Sequence, residues 1–318
     1  TSRHLRPKQG CCIMAGLVNW LGGGLDLTSA QAAINELVEE KGQMQERLNE
    51  LEAKEKFRNK TVLITGAGGD IGRATALLCA CEGAKTVLLD MAVEPLADTF
   101  NQVKALDRGD ALQLQCDVTD AASVAAAVGT AVKQYGRVDC AFVNAGIQGE
   151  FASTELYSVE DFQRVLSVNV IGSFITLQEV AKAMKVDEQG GSVVVTASVA
   201  AFRGTPAMPA YVASKAALIG LIKTAAKDLA PFNIRVNAIS PALIGPGHLW
   251  DRQNELHAAS GSPYFDRDPL VVAANKVKSV PLRRVGTLAE VAKTAAFLLS
   301  DESSYTTGAN LEISGGLT

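Results

Sequence analysis

Tyr211 and Lys215 are the residues of this chain whose types and spacing could move a proton. They lie in Met208-Pro-Ala-Tyr-Val-Ala-Ser-Lys215, which runs into a small-residue, apolar stretch to Gly220 that reads as a helix. An i, i+4 spacing puts both side chains on one helical face. A lysine ammonium held there favours the phenolate form of the tyrosine. Bringing a phenol from about 10 to about 7 takes roughly 4 kcal/mol of differential stabilisation. One close cation in a low-dielectric cleft, helped by a bound positive group, could supply it. Such a tyrosine acts as a general acid or base near neutral pH. The competing reading of the bare spacing is a half-buried core tyrosine beside a snorkelling lysine. The surrounding elements must decide.

Those elements begin with Thr61-Val-Leu-Ile-Thr65, a buried strand by composition. It is followed by Gly66-Ala-Gly68-Gly69-Asp70-Ile71-Gly72 and a helix to about Cys81. A glycine-rich turn between strand and helix lets backbone N–H groups approach a pyrophosphate at the positive helix end. Lys85–Asp90 forms the second strand and ends in a carboxylate, suited to grip the ribose hydroxyls of an adenosine. A phosphate on that ribose would meet like charge, so NAD rather than NADP is the expected cofactor. The other reading of Asp90 is a cap for the helix after Ala92. The pattern then continues with a helix near 94–106 and strand Ala111–Cys116, then helix Ala121–Tyr135 and strand Val138–Asn144. A long helix near Val159–Met184 and strand Ser192–Ala197 follow. This alternation predicts an α/β fold with a parallel sheet covered on both faces. Ligands in such sheets bind beyond the carboxyl ends of the strands. Asp90, Asp117, Asn144-Ala145-Gly146 and Ser198 all fall at such ends.

With these stretches in hand, the chain resembles the short-chain dehydrogenase/reductase family over roughly residues 58–316. The resemblance is carried by Thr65-Gly66 through Gly72, Asp117-Val118, Asn144-Ala145-Gly146, Asn169, Ser198, Tyr211 with Lys215, and Asn237-Ala-Ile-Ser-Pro241. It implies a Rossmann-type doubly wound parallel sheet in a single catalytic domain, a nicotinamide cofactor, and a homotetramer or homodimer. It also implies roles: Tyr211 as acid/base, Ser198 as partner of the reacting oxygen, Lys215 as phenol activator and ribose ligand. Asn169 would hold a water that relays protons to Lys215. Gly66, Gly68, Asp70, Ile71, Asp90, Asp117, Val118, Asn144, Ala145 and Gly146 become the implied cofactor contacts, with Tyr211, Lys215, Pro241 and Ile244. A narrower likeness, in Ala242–Gln253, Gly261–Phe265, Gly149–Phe151 and Ser279–Arg284, is to the NAD-dependent xylitol dehydrogenases of the family.

Two departures stand out. Asp70 replaces the family's middle glycine in the cofactor turn, where it would crowd the phosphates or cap the following helix, with Gly68 and Gly69 giving the backbone its freedom. Pro241-Ala242 replaces a common Pro-Gly, and no threonine follows to hold the nicotinamide amide. Backbone groups around Leu243–Gly245 would have to do so. Residues 242–280 read as a long loop with short helices folding over the substrate, with His248, Trp250, Arg252 and Gln253 as pocket candidates. Asn233–Ile239, Leu288–Leu299 and Asn310–Ile313 complete the strand and helix pattern.

Composition narrows the rest. At 318 residues, 47% apolar and with net charge −4, the chain reads as one large domain plus an appendage without nucleic acid as a partner. Six cysteines without framework spacing read as free thiols of a reducing compartment, with the cytoplasm the expectation. Three histidines and no Cys-x-x-Cys argue against a zinc site, and no apolar run is long enough for a membrane span. Residues 1–25 are basic and then apolar. They read either as a targeting segment, mitochondrial or secretory, or as sequence upstream of a start at Met14. From Thr28, with Gln31 completing a capping box, Ile34, Leu37, Met44, Leu48 and Leu51 form a short heptad seam that Lys41 and Gly42 interrupt. Packing on the catalytic domain and pairing between subunits both stay open for that helix. The expected organisation is an extension over 1–57 and a catalytic domain over 58–318. The expected activity is NAD-dependent interconversion of a secondary alcohol, such as a polyol, and its ketone. A carbonyl or 3-oxoacyl reductase, and a non-catalytic dinucleotide-binding protein, are the alternatives.

Overall fold

Seven short apolar runs separated by helices leave few ways to bury both faces of each strand. In the computed structural model they form one parallel sheet. The structure describes residues 32, 34–44, 55–186 and 188–318, in two units, residues 1–54 and Glu55–Thr318. In the first, residues 34–44 are helical and exposed, Leu37 and Met44 among them. Thr28, Gln31, Leu48 and Leu51 lie outside the described residues.

The second unit runs β1 (Thr61–Thr65), α1 (Asp70–Cys81), β2 (Lys85–Asp90), α2 (Val93–Lys104), β3 (Ala111–Gln115), α3 (Ala121–Tyr135) and β4 (Cys140–Val143). It continues through α4 (Val159–Leu166), a π-helical turn (Ser167–Ile171), α5 (Gly172–Lys185), β5 (Gly191–Thr196), α6 (Ala200–Arg203) and α7 (Pro209–Leu229). The last elements are β6 (Ile234–Pro241), α8 (His248–Ala259), α9 (Pro269–Ser279), α10 (Leu288–Leu299) and β7 (Asn310–Ile313). The strand order is β3-β2-β1-β4-β5-β6-β7, and every pairing is parallel. This is the doubly wound sheet expected of the sequence. The chain reverses its direction of travel between β1 and β4, so the loops after those two strands flank one crevice.

A two-residue side-chain period splits each central strand between two cores. Leu63, Val87 and Leu89 pack with α3, α5 and α7 residues on one face, whereas Val62, Ile64 and Leu88 pack with α1 and α10 residues on the other. Strands buried on both faces therefore read as continuous apolar runs. β3 departs from that expectation. It is an edge strand, and its glutamines at 113 and 115 are exposed.

Two further expectations are corrected. The long helix over 159–184 is interrupted by the π-helical turn, which inserts extra backbone between α4 and α5. The segment 242–280 carries two well-formed helices of 12 and 11 residues rather than a loop with short ones. α9 starts on a built cap, with the Asp268 carboxylate accepting from Leu270 N and Pro269 in the first turn.

Candidate active site

α7 opens with Pro209, whose missing N–H costs nothing at a helix start. That places Tyr211, Ser214 and Lys215 in the first two turns. Ser198 follows the end of β5, and Asn169 sits in the π-helical turn. The structure brings these residues to one place. Lys215 is 4% exposed, its Nζ donates to Thr196 O at 2.7 Å, and it stands 5.7 Å from the centre of the Tyr211 ring. Ser198 Oγ accepts from Ala200 N at 3.2 Å and lies 3.4 Å from Pro241 O. Asn169 is fully buried. Its Oδ1 accepts from Ile147 N at 2.8 Å, and its Nδ2 donates to Ile147 O and Ser214 Oγ, both at 2.9 Å. Ser214 Oγ in turn donates to Tyr211 O. Gly146 is the seam between the two elements, since a Cβ there would sit 3.1 Å from Asn169 Oδ1 and 3.4 Å from Lys215 Nζ.

Burial pushes the Tyr211 phenol above its ordinary value, and a hydrogen bond with Ser198 draws it only partly back. Burial also pushes Lys215 down to about 8. Desolvation is the larger effect on both groups before any cofactor charge is added.

The cofactor rim is built around Gly66, which takes a left-handed φ of +65°. Gly68 and Gly69 do not adopt positive φ, contrary to the freedom expected of them. A Cβ on Gly68 would come within 2.9 Å of Pro95 Cβ, and one on Gly72 within 2.1 Å of Gly66 O. The turn is thus a backbone-lined cradle at the start of α1, the shape a pyrophosphate fits. Asp90 braces it. Its Oδ2 accepts from Gly68 N and its Oδ1 from Ala92 N, each at 2.9 Å. Ala92, not Asp90, is the cap residue of α2. Arg73 pairs with Asp98 and donates to Thr99 Oγ1 and Gly68 O. Asp70 is the first residue of α1 rather than its cap, which is Gly69. Its carboxylate instead lies against the first turn of α8, 3.5 Å from Leu249 N. Ile71 borders the substrate cavity.

Asn144 ties the crevice together. Its N–H donates to Thr65 Oγ1, its Nδ2 to Thr65 O and Gly66 O, and its Oδ1 accepts from Thr196 Oγ1. Ala145 N shares Thr65 Oγ1. Asp117 is turned into its own loop, where Oδ1 accepts from the N–H and hydroxyl of Thr119. Val118 packs against Gly172 at the head of α5. Of the backbone groups expected to hold the amide, Gly245 N donates to Gly286 O and Leu243 O accepts from Gly286 N. Parallel pairing leaves the N–H and C=O of Ile244 pointing away from Gly286.

A cavity of about 250 Å³ opens beside Ser198 and Tyr211 and runs under α8 and α9. Trp250 and Gln253 line it as expected, while His248 and Arg252 are exposed and do not. Gln148, His257, Phe265 and Lys276 also line it, and none was singled out by sequence. A signal existed for one of them: His257 lies one helical turn beyond Gln253 on the same face.

A family model described as Enoyl-(Acyl carrier protein) reductase matches residues 66–318. Levodione reductase of Leifsonia aquatica is 37% identical over 263 residues, covering 82% of this chain and 95% of that protein. The chain belongs to the short-chain dehydrogenase/reductase family. It is an enzyme, an oxidoreductase of that family. Cyclohexanol dehydrogenase of Acinetobacter sp. (strain SE19) is 36% identical, over 83% of this short-chain dehydrogenase/reductase and 96% of its relative. Among solved structures, an NAD+-bound xylitol dehydrogenase shares 48% identity at a TM-score of 0.80, covering 82% of this chain and 99% of that one. No helix among the described residues is long and apolar enough to cross a membrane.

Proposed function

We propose that this oxidoreductase uses NAD to interconvert a secondary alcohol of the polyol class, with xylitol as the model substrate, and its ketone. The observation that carries the reading is that Ser198 and Tyr211, the latter beside Lys215, line a cavity that also carries Gln148, Gln253, His257 and Lys276. The 48% identity to a xylitol dehydrogenase supports it. The cofactor assignment is supported by that relative's bound NAD+ and by Asp90 beside the glycine cradle.

Gly66, Gly68, Asp90, Asn144 and Ile244 are the residues that would hold the dinucleotide, with Ile71, Asp117, Val118, Ala145, Gly146 and Pro241 shaping its groove. When bound, NAD supplies the hydride acceptor and a positively charged ring. Tyr211 takes the hydroxyl proton in oxidation and returns it in reduction. Ser198 Oγ hydrogen-bonds the reacting oxygen and steadies the charge that develops there. Lys215 stabilises the phenolate form, and Asn169 fixes the backbone of Ile147 beside it. Reduction of a cyclic ketone is the second reading, favoured by the levodione reductase relative. A homodimer or homotetramer is the proposed assembly, with the extension expected over 1–57 shortened to 1–54 because Phe57 is buried in the core of the second unit. Light scattering on the full chain and on a chain lacking 1–54 tests both: a folded, smaller assembly is expected, and an unchanged mass removes the extension from subunit pairing.

The test of function is a panel of xylitol, sorbitol and simple ketones with NAD(H) and NADP(H), run on the wild type and on Tyr211→Phe. Turnover of a polyol with NAD, lost by about 10²–10⁴-fold in the variant while NAD still binds, is the expected result. A variant retaining more than about a tenth of the rate removes Tyr211 from the role.

A further inference from the structure

The end of the cavity away from Tyr211 is polar and densely bonded. α8 and α9 bring Asn254, His257 and Lys276 together there: Lys276 Nζ donates to Asn254 Oδ1 at 2.7 Å, lies 2.9 Å from His257 Nδ1, and 3.4 Å from Gln253 Oε1. Every one of these partners is neutral. His257 is 2% exposed and packed between Phe151 and Phe265, with ring centres 4.7 Å and 4.0 Å away. Burial and the neighbouring Lys276 charge push its pKa down to about 3, so the imidazole is neutral at working pH. With Lys276 charged, its ammonium only donates, so Nδ1 accepts from it and the ring proton resides on Nε2. That Nε2–H is buried and has no protein partner.

Gln148 lines the same cavity at 8% exposure, and its Oε1 is likewise buried without a protein partner. Native structures seldom leave buried polar atoms unmatched. Here one donor and one acceptor are left on side chains that line one cavity, beyond the residues that handle the proton. A carboxylate or a ketone can answer the histidine but not the glutamine oxygen, because neither donates. A hydrocarbon answers neither. A hydroxyl does both.

We propose that Gln148 and His257, the latter held in tautomer by Lys276, form a hydroxyl-reading subsite that selects substrates carrying further hydroxyls beyond the one oxidised. The proposal rests on the polyol reading above and assigns its specificity to named residues. Gln148 and His257 contact the distal hydroxyls. Lys276 is a positioning residue that acts through His257.

Two probes of equal chain length test it, xylitol and 2-pentanol, each assayed with NAD on the wild type, His257→Phe, His257→Gln and Gln148→Met. The wild type is expected to favour xylitol. His257→Phe and Gln148→Met should each lower the xylitol-to-2-pentanol ratio of kcat/KM by at least about tenfold, chiefly through KM for xylitol, as loss of a polar substrate contact does. His257→Gln keeps a donor and should recover part of the ratio. An unchanged ratio, or equal losses on both probes, overturns the subsite. Binding is read in parallel on NAD-loaded Tyr211→Phe by calorimetry, where turnover plays no part. Xylitol binding weakened tenfold or more by adding His257→Phe supports the subsite, and no xylitol binding, or binding unaffected by the substitution, overturns it. If 2-pentanol is oxidised and xylitol neither turns over nor binds, the subsite fails while Tyr211 chemistry stands. If Tyr211→Phe keeps its activity, the functional reading fails and the calorimetry still decides the subsite.

Discussion

Two lysines flank the site and are held differently: Lys215 is buried beside Tyr211, and Lys276 is half-buried in the cavity wall. Lys215 comes from α7, docked on the sheet, and it donates to a main-chain carbonyl at the end of β5. Lys276 comes from α9, in the segment inserted after β6, and its partners are side chains of α8. Desolvation lowers both, Lys215 to about 8 and Lys276 to about 7. The first is held by backbone that every residue of the strand helps to fix. The second is held by groups that can rotate. The proton chemistry sits on the scaffold, and recognition is shared between Gln148, after β4, and the cap.

The sharpest way to break this comparison is to remove each amine. Lys215→Met should cost about 10²–10⁴-fold in kcat with either alcohol, whereas Lys276→Met should raise KM for xylitol about tenfold with a smaller change in kcat. Steady-state kinetics with xylitol and 2-pentanol separate the two, and a kcat collapse in Lys276→Met would erase the division. Next in size is cofactor choice, a property of the scaffold alone. Asp90→Ala should shift the ratio of NAD to NADP affinity by about 10–100-fold towards NADP. Titration of both cofactors measures it, and an unchanged ratio removes Asp90 as selector.

Stability should divide along the same line. Gly72→Ala drives a Cβ to within 2.1 Å of Gly66 O, a main-chain atom with nowhere to go. A Cβ on Gly245 meets only the Trp250 side chain, at 3.0 Å. Calorimetric melting should give a loss of about 1–3 kcal/mol for Gly72→Ala and a smaller one for Gly245→Ala.

The smallest effect expected is on pH dependence. A lysine whose folded pKa lies below its unfolded value carries fewer protons in the native state, so stability rises as pH climbs from the folded value towards 10.5. Melting temperature of the cofactor-free protein should therefore increase between pH 7 and about 8.5, before the raised thiols of Cys79 and Cys140 begin to act in the opposite sense. Lys276→Met should flatten its share of that slope, and a slope unchanged by the substitution would show that Lys276 titrates freely.

The scaffold was legible in advance because its signals are local. Thr61–Thr65 followed by spaced glycines, and Lys85–Asp90 ending in a carboxylate, announce strand, turn and charge within a few residues. Tyr211 and Lys215 share one helix, so their spacing alone puts them on one face. The cavity was legible only in part: Trp250 and Gln253 were expected in it, and the rest was not, for the opposite reason. Gln148, His257 and Lys276 lie on three separate segments, and only tertiary packing brings them to one cavity. Sequence shows the charge beside Tyr211 but not how much water burial removes from the phenol.

The π-helical turn at Ser167–Ile171 has a consequence for how this chain can vary. Asn169 reaches Ile147 and Ser214 from that turn, and Ser173 Oγ takes the Asn169 carbonyl that the wide turn frees. An α-helix advances about 100° per residue. Dropping one residue from the turn would restore regular winding and rotate the whole of α4 against α5 by that amount, swinging Asn169 off its partners. The segment is therefore a length-keeping device: it can absorb exchanges of one side chain for another, but a change in residue count there would dismantle the site from a distance.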